Sequence, residues 1–266
     1  MAVVTVNYFS HALMRATDVT VVLPIEPPAF PLPPGVEPPD LDAPFKTIYL
    51  LHGFCGNHRD WLVGTRLNEY CETYRVAVVC PSGENSFYID DTKRDAFYER
   101  MISKELVEHT RKMFPLSKKR SDTMIAGLSM GGYGAIYNGL KNHEVFGNIA
   151  AFSSALITDM VASGVEDNPM ISKEYYLHTF GDPAGVVGSD VDPKALASKL
   201  VSSGADRPKL YMACGTEDFL IVPNRSLDQH LTEIGYGHTY IESPGGHEWN
   251  FWDEYIQKAM RWFTAD

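Results

Sequence analysis

The sequence predicts an α/β chain, with a mostly parallel central sheet and helices on both faces. Three observations carry that expectation. Short apolar runs alternate with longer segments of helical period along most of the 266 residues. The runs Lys46–Leu51 and Thr123–Gly127 are apolar almost throughout, so each strand needs cover on two faces. No second region carries an independent core pattern, so one domain over residues 1–266 is expected.

The elements follow in order. Val3–Phe9 and Thr17–Leu23 are β-branched runs ending at turn or proline signals, and they read as antiparallel edge strands. Pro24 to Pro44 holds nine prolines, which cannot donate to a ladder and favour an extended surface loop. Strand Lys46–Leu51, helix Thr65–Tyr74 and strand Arg75–Val79 come next. Asp95–Phe114 has helical spacing at Phe97, Met101, Leu106 and Met113. Strand Thr123–Gly127, helix Gly131–Asn142 and strand Asn148–Phe152 then alternate. Ala155 to Gly204 breaks the rhythm without a clear strand. It is expected to be a cap-like insertion of helices and loops over the carboxyl ends of the strands, where open α/β sheets bind ligands. Strand Pro208–Cys214, helix Asn224–Gly235, strand Thr239–Glu242 and helix Trp249–Phe263 close the chain.

Bulk composition narrows the function. Hydrophobic residues make up 44% and charged residues 21%, a globular balance. Net charge is -11, and the basic run Lys118-Lys119-Arg120 reads as a solvated turn, which argues against a nucleic-acid or anionic-membrane partner. There is no run of 18 apolar residues for a transmembrane helix, and no basic-then-apolar leader pattern at Met1. Cys55, Cys71, Cys80 and Cys214 form no Cys-x-x-Cys pair. Free thiols in a reducing cytoplasm are expected, with neither a metal nor a cofactor indicated.

The chemistry centres on Gly127-Leu128-Ser129-Met130-Gly131, between a strand and a helix. That setting is a nucleophile elbow, a strained turn that lifts the serine hydroxyl clear of the sheet. The flanking glycines stay small because strand and helix approach closely there. A serine hydroxyl needs an adjacent base, and on the α/β-hydrolase fold the order is serine, acid, histidine. His247, in the glycine loop Pro244-Gly-Gly-His-Glu-Trp, fits that place; His238 is the runner-up, and His230 falls within a helix. The loop after Cys214 offers Glu217 and Asp218, and Asp218 is preferred because Phe219-Leu220 would bury it.

An oxyanion hole needs two backbone N–H groups. Met130, after the nucleophile, supplies one. The loop Leu51-His52-Gly53-Phe54-Cys55-Gly56 supplies the other from Phe54, with Cys55 as the alternative. His52 reads as a structural hydrogen-bonding residue rather than a base.

Four blocks carry a family resemblance: Leu50–Trp61, Gly127–Gly134, Cys214–Leu220 and Gly246–Trp249. They resemble the tributyrin esterase family of the esterase D-like α/β-hydrolases, beside S-formylglutathione hydrolases and feruloyl esterases. The resemblance spans Val3 to Phe263 and implies a cofactor-free carboxylesterase for short acyl chains, with Ser129, Asp218 and His247 as its triad. It also makes Trp61 and Tyr88, the latter in Ser86-Phe-Tyr-Ile-Asp-Asp91, candidate substrate-pocket residues, and it favours a homo-oligomer. The long proline-rich loop and the 155–204 insertion depart from the family. A thioesterase or acyltransferase shares the acyl-enzyme. It is disfavoured by the lack of a cysteine-threonine-glutamate run near Gly53. A non-catalytic binding protein would have lost a triad member.

Overall fold

A computed structural model describes residues 1–26, 40, 42–167 and 171–265. Most of the proline-rich segment 24–44 lies outside the described residues. β1 (Ala2–Ser10) and β2 (Arg15–Leu23) pair antiparallel, with Ala2 opposite Leu23. β3 (Lys46–Leu51) and β4 (Val76–Pro81) are buried along nearly their whole length. β5 (Asp90–Asp91) and β6 (Ala96–Phe97) make a separate two-stranded hairpin. β7 (Thr123–Leu128), β8 (Asn148–Phe152), β9 (Lys209–Gly215) and β10 (His238–Ser243) complete the main sheet.

The eight strands lie in the order β1-β2-β4-β3-β7-β8-β9-β10. β2 runs antiparallel to β1 and to β4, and every pairing from β4 to β10 is parallel. The mostly parallel sheet and its antiparallel N-terminal hairpin are as the sequence predicts.

The helices depart from expectation in detail. α1 (Asp60–Gly64) precedes α2 (Leu67–Tyr74), which starts two residues later than expected. The helix expected from Asp95 starts at Tyr98. α3 (Tyr98–Arg100) runs through a π-turn, Met101–Glu105, into α4 (Leu106–Met113). The reason is local. Ala96 and Phe97 pair with Asp91 and Asp90, and Asp90 Oδ1 then accepts the Glu99 N–H at 2.7 Å, a cap reached from across the hairpin.

α5 (Met130–Lys141) follows the elbow. The described residues of the segment 155–204 form α6 (Thr158–Ala162), α7 (Lys173–Phe180), α8 (Pro183–Val186) and α9 (Pro193–Ser203), and no strand. α8 and α9 open on Asp-Pro: Asp182 accepts the Ala184 N–H, Asp192 accepts the Lys194 N–H, and each proline sits where no N–H is needed. α10 (Ile221–Glu233) and α11 (Trp249–Thr264) close the chain.

Two cores flank the sheet. β3 sends Ile48 and Leu50 to one face, against Tyr70 of α2 and Trp252 and Ile256 of α11. Tyr49 and Leu51 go to the other, with Ile102 and with Ile136 and Leu140 of α5. A fully buried large apolar side chain is worth roughly 1.5–3 kcal/mol, while the whole strand-propensity scale spans about 1 kcal/mol. Two-sided burial therefore fixes β3, and the strand's carboxyl end is placed rigidly beside the elbow.

Candidate active site

β7 ends at Leu128 and α5 begins at Met130, so Ser129 alone makes the turn. It does so at φ 53° and ψ -117°, a conformation seldom adopted by residues other than glycine. Such strain, of order 1–3 kcal/mol, persists only where the surroundings over-determine it. Here the Ser129 N–H donates to Phe152 O at 2.9 Å, and its carbonyl accepts the N–H groups of Tyr133 (3.0 Å) and Ala155 (2.9 Å). Gly131 sits against backbone: a Cβ there would lie 2.5 Å from the carbonyl oxygens of both Leu51 and His52. Gly127 in turn meets the Gly131 backbone. The close approach read from the glycine spacing is present, and it draws in β3 as well.

His247 lies in the loop between β10 and α11. Its Nδ1 is 2.9 Å from Asp218 Oδ2, which places the N–H on Nδ1 and frees Nε2 as an acceptor. Phe219 and Trp252 rings flank the imidazole at 4.7 and 4.9 Å. Asp218 is 2% exposed and also accepts the Leu220 N–H at 2.8 Å. Burial pushes its carboxyl up, but hydrogen bonds from His247, Leu220 and Ser153 outweigh that and hold it below the ordinary value. Glu217, the other acid considered, accepts the Gly245 N–H at 2.5 Å, and its own N–H donates to Gly245 O. It ties the histidine loop to the end of β9.

The two other histidines weighed as the base, and His52, are engaged elsewhere. His238 Nδ1 and Nε2 each lie 2.8 Å from an acceptor, Tyr236 O and Asp228 Oδ1. His230 Nε2 meets Ser198 Oγ at 2.9 Å. His52 is buried with both ring nitrogens used: Nδ1 donates to Gly53 O at 2.7 Å, and Nε2 accepts the Gly83 N–H at 2.8 Å. Burial lowers its pKa, which suits the neutral ring those two bonds require. His52 therefore shapes the loop after β3, as the sequence suggests.

In that loop the Cys55 N–H is taken by Asn85 Oδ1 at 2.7 Å. Among the described residues no acceptor takes the N–H of Phe54, and Met130 opens α5, where the first N–H groups have no intrahelical partner. Ser129, Met130, His247 and Phe54 line one cavity of about 910 Å³, walled largely by apolar side chains that include Leu156, Phe219 and Trp252. A second, more polar cavity of about 790 Å³ meets it at Phe54, Cys55 and Ile171, and is lined by Asp90, Asp91, Tyr175 and His178 among others.

Trp61 and Tyr88 line neither cavity. Trp61 is 1% exposed and donates its indole N–H to Leu51 O at 2.9 Å. Tyr88 is fully buried and donates to His52 O at 3.0 Å. They brace the end of β3 from behind the pocket wall. The substrate contact expected of them is not what their placement offers, because both rings are sealed in the cores.

Sequence reasoning missed several groups around the site. Ser153 follows β8 and receives the Trp252 indole N–H on its Oγ at 3.2 Å. Asn224 brackets the next residue, accepting the Ser154 N–H at 3.3 Å and donating to Ser154 O at 2.9 Å. Phe219, expected from the sequence to help bury Asp218, instead stands 73% exposed at the cavity rim. A signal existed for the first: the serine pair 153–154 ends a parallel strand on the side where such sheets bind ligands.

A serine on a strained strand-to-helix turn, an imidazole held by a buried carboxylate and a mostly parallel sheet beneath them define a serine hydrolase of the α/β-hydrolase fold. Residues 26–263 match the family described as "Putative esterase", and the chain belongs to that family. It is 43% identical to an acetyl esterase of Caldicellulosiruptor saccharolyticus, over 99% of this chain and 98% of that one. Its structure resembles the fluorophosphonate-binding serine hydrolase FphF of Staphylococcus aureus, at 30% identity and TM-score 0.84, covering 100% of this chain and 99% of that one. It also resembles an S-formylglutathione hydrolase, FrmB, of the same organism, at 30% identity and TM-score 0.83, with 99% of each chain covered. The protein is a serine carboxylic ester hydrolase.

Proposed function

We propose that the chain hydrolyses esters of short acyl groups, acetyl first among them, through an acyl-enzyme on Ser129. The observation that carries this reading is Ser129 at φ 53°, sharing one cavity with a His247 whose Nδ1 is bound to buried Asp218. His247 Nε2 takes the Ser129 proton as Oγ attacks the carbonyl carbon. The oxyanion is met by the N–H groups of Met130 and Phe54, each worth roughly 3 kcal/mol. His247 then returns the proton to the departing alcohol. Water, deprotonated by the same nitrogen, attacks the acyl carbon and frees the acid and Ser129. Asp218 stays ionised and holds the imidazolium.

The 43% identical acetyl esterase supports the acetyl assignment. The segment 155–204 acts as a cap, since Ala155, Leu156 and Met160 contribute to the cavity wall. Four unpaired cysteines fit a reducing cytoplasm. Among the described residues no helix is long and apolar enough to cross a membrane. The polar cavity beyond Phe54 favours a second reading, in which the leaving alcohol is a carbohydrate and hydrogen-bonds there.

The test is a panel of p-nitrophenyl esters of increasing acyl length, acetylated sugars, a feruloyl ester and S-formylglutathione. It is run on wild type and Ser129→Ala, with fluorophosphonate labelling alongside. Highest kcat/KM on acetyl esters is expected, with label and activity both lost in Ser129→Ala. Full activity in that variant would overturn the reading.

A further inference from the structure

Ten large apolar side chains stand exposed among the described residues, and Met160, Phe219 and Val222 are three of them. Single exposed apolar residues are ordinary on a protein surface, but a cluster in one place points to something that covers it. All three line the cavity that holds Ser129 and His247. Met160 lies on α6, Phe219 in the loop after β9, and Val222 in the first turn of α10. The exposure of Phe219 is built into that loop. Asp218 and Leu220 on either side are buried and joined by the Leu220 N–H to Asp218 Oδ1 bond, so the ring between them is left outside.

The chemistry of acylation decides which half of an ester lies there. Ser129 Oγ bonds the carbonyl carbon, the bond from that carbon to the alcohol oxygen breaks, and the alcohol oxygen takes the proton from His247 Nε2. The departing oxygen must therefore come within hydrogen-bond reach of Nε2, while the carbonyl oxygen lies at the Met130 and Phe54 amides. The rest of the alcohol leaves the carbon on the imidazole side. The Phe219 ring stands there, 4.7 Å from the imidazole between centroids. Two polar groups of the same rim are already engaged. Asp159, beside Met160, and Ser226, one turn along α10 from Val222, both bind Lys194 Nζ, at 2.7 and 2.9 Å.

We propose that Phe219, with Val222 and Met160, binds the alcohol half of the ester and selects alcohols that carry a flat apolar ring. An exposed aromatic face receives such a ring by offset stacking or edge contact, and the aliphatic neighbours extend the surface. Phe219 is then a specificity residue of acylation, because the acyl-enzyme that remains has already lost the alcohol. The inference rests on the catalytic reading of Ser129 and His247, and it names the alcohol class for that reaction. The polar cavity beyond Phe54 is the competing place for the alcohol; it is lined by neither Ser129 nor His247.

The test compares kcat/KM for three acetates of primary alcohols: 2-naphthylmethyl acetate, ethyl acetate and 6-O-acetylglucose. Their leaving alcohols are of one chemical type, so ratios between them read binding of the alcohol. Wild type is expected to favour the naphthylmethyl ester over both others. Phe219→Ala should lower the naphthylmethyl-to-ethyl ratio by about threefold to tenfold, the worth of one aromatic contact. Val222→Ser, which removes a rim side chain outside the triad, should lower it by about twofold to fourfold. Both side chains are exposed, so Tm should stay within a few degrees of wild type. The ratio between p-nitrophenyl hexanoate and p-nitrophenyl acetate should move less than twofold in either variant. An unmoved naphthylmethyl-to-ethyl ratio in Phe219→Ala would overturn the proposal. So would an equal loss on all three acetates, which means that the ring only supports the imidazole, or a shift in the acyl-length ratio, which puts it in the acyl site. Wild-type preference for 6-O-acetylglucose would overturn it too, in favour of the polar cavity. Retained activity in Ser129→Ala would instead sink the catalytic reading on which it rests.

Discussion

Replacing Asp218 with asparagine changes one atom type and tests the whole proton relay. In the wild type Oδ2 faces His247 Nδ1 at 2.9 Å and Oδ1 accepts the Leu220 N–H at 2.8 Å. An asparagine must put its carbonyl oxygen on one of these partners and its amide nitrogen on the other. The Leu220 N–H is a fixed backbone donor and needs an acceptor. The amide NH2 therefore faces His247 and donates to Nδ1, which forces the ring proton onto Nε2. In that tautomer Nε2 cannot accept the Ser129 proton. A wrong-tautomer defect of this kind lowers kcat about 10⁴-fold, which is about 5.5 kcal/mol of barrier. Shape and volume are kept, so Tm should shift by only a few degrees. The assay is steady-state hydrolysis of p-nitrophenyl acetate beside thermal unfolding. A kcat within about tenfold of wild type would refute the argument that Asp218 sets the tautomer.

Three further outcomes follow from the same contacts. Gly131→Ala places a Cβ 2.5 Å from two backbone carbonyls; it should destabilise by about 1–3 kcal/mol in denaturant unfolding and lower kcat, since the loop after β3 and the start of α5 carry the two proposed oxyanion donors. Trp61→Ala should cost about 3–5 kcal/mol of stability, because a sealed indole and its bond to Leu51 O are lost. A pocket residue would instead show a KM change with Tm kept. Asp253 is held below its ordinary pKa: burial raises it, but the Arg66 N–H, the Tyr70 hydroxyl and the Arg66 guanidinium outweigh that. Its stabilisation is therefore full above the unfolded carboxylate range and lost as pH falls through the folded value. Asp253→Asn should lower Tm at pH 7 and flatten the fall of Tm between about pH 5 and 2.

Much of the site was legible because its parts are local. Gly127-Leu-Ser-Met-Gly131 states a strand end, a turn and a helix start within five residues, and the two glycines state a close approach without naming the partner. The partner, the carbonyls of Leu51 and His52, lies some 80 positions earlier in the chain and was not readable. Trp61 and Tyr88 show the opposite failure. A family pattern marked them, but the pattern does not say which side of the pocket wall an aromatic ring occupies. Packing of Trp61 against Phe152 and Trp249, with its bond to Leu51 O, and the bond of Tyr88 to His52 O put both behind the wall.

By itself the sequence determined the order of strands and helices, the two-faced burial of the parallel strands, and the elbow at Ser129. Each depends on periodicity or on residues adjacent in the chain. The sequence preferred Asp218 and Phe54 but left Glu217 and Cys55 open, and the tertiary structure decided which acid meets the histidine, which amide of the β3 loop stays free, and which groups hold them. Asp218 rather than Glu217 faces His247, because β9 and β10 pair in a register that brings Glu217 under Gly245. Cys55 rather than Phe54 has its N–H consumed, because Asn85 reaches across from a loop 30 residues away. Hydrogen bonds between distant segments depend on the register of strands and the packing of helices, and no local pattern encodes those.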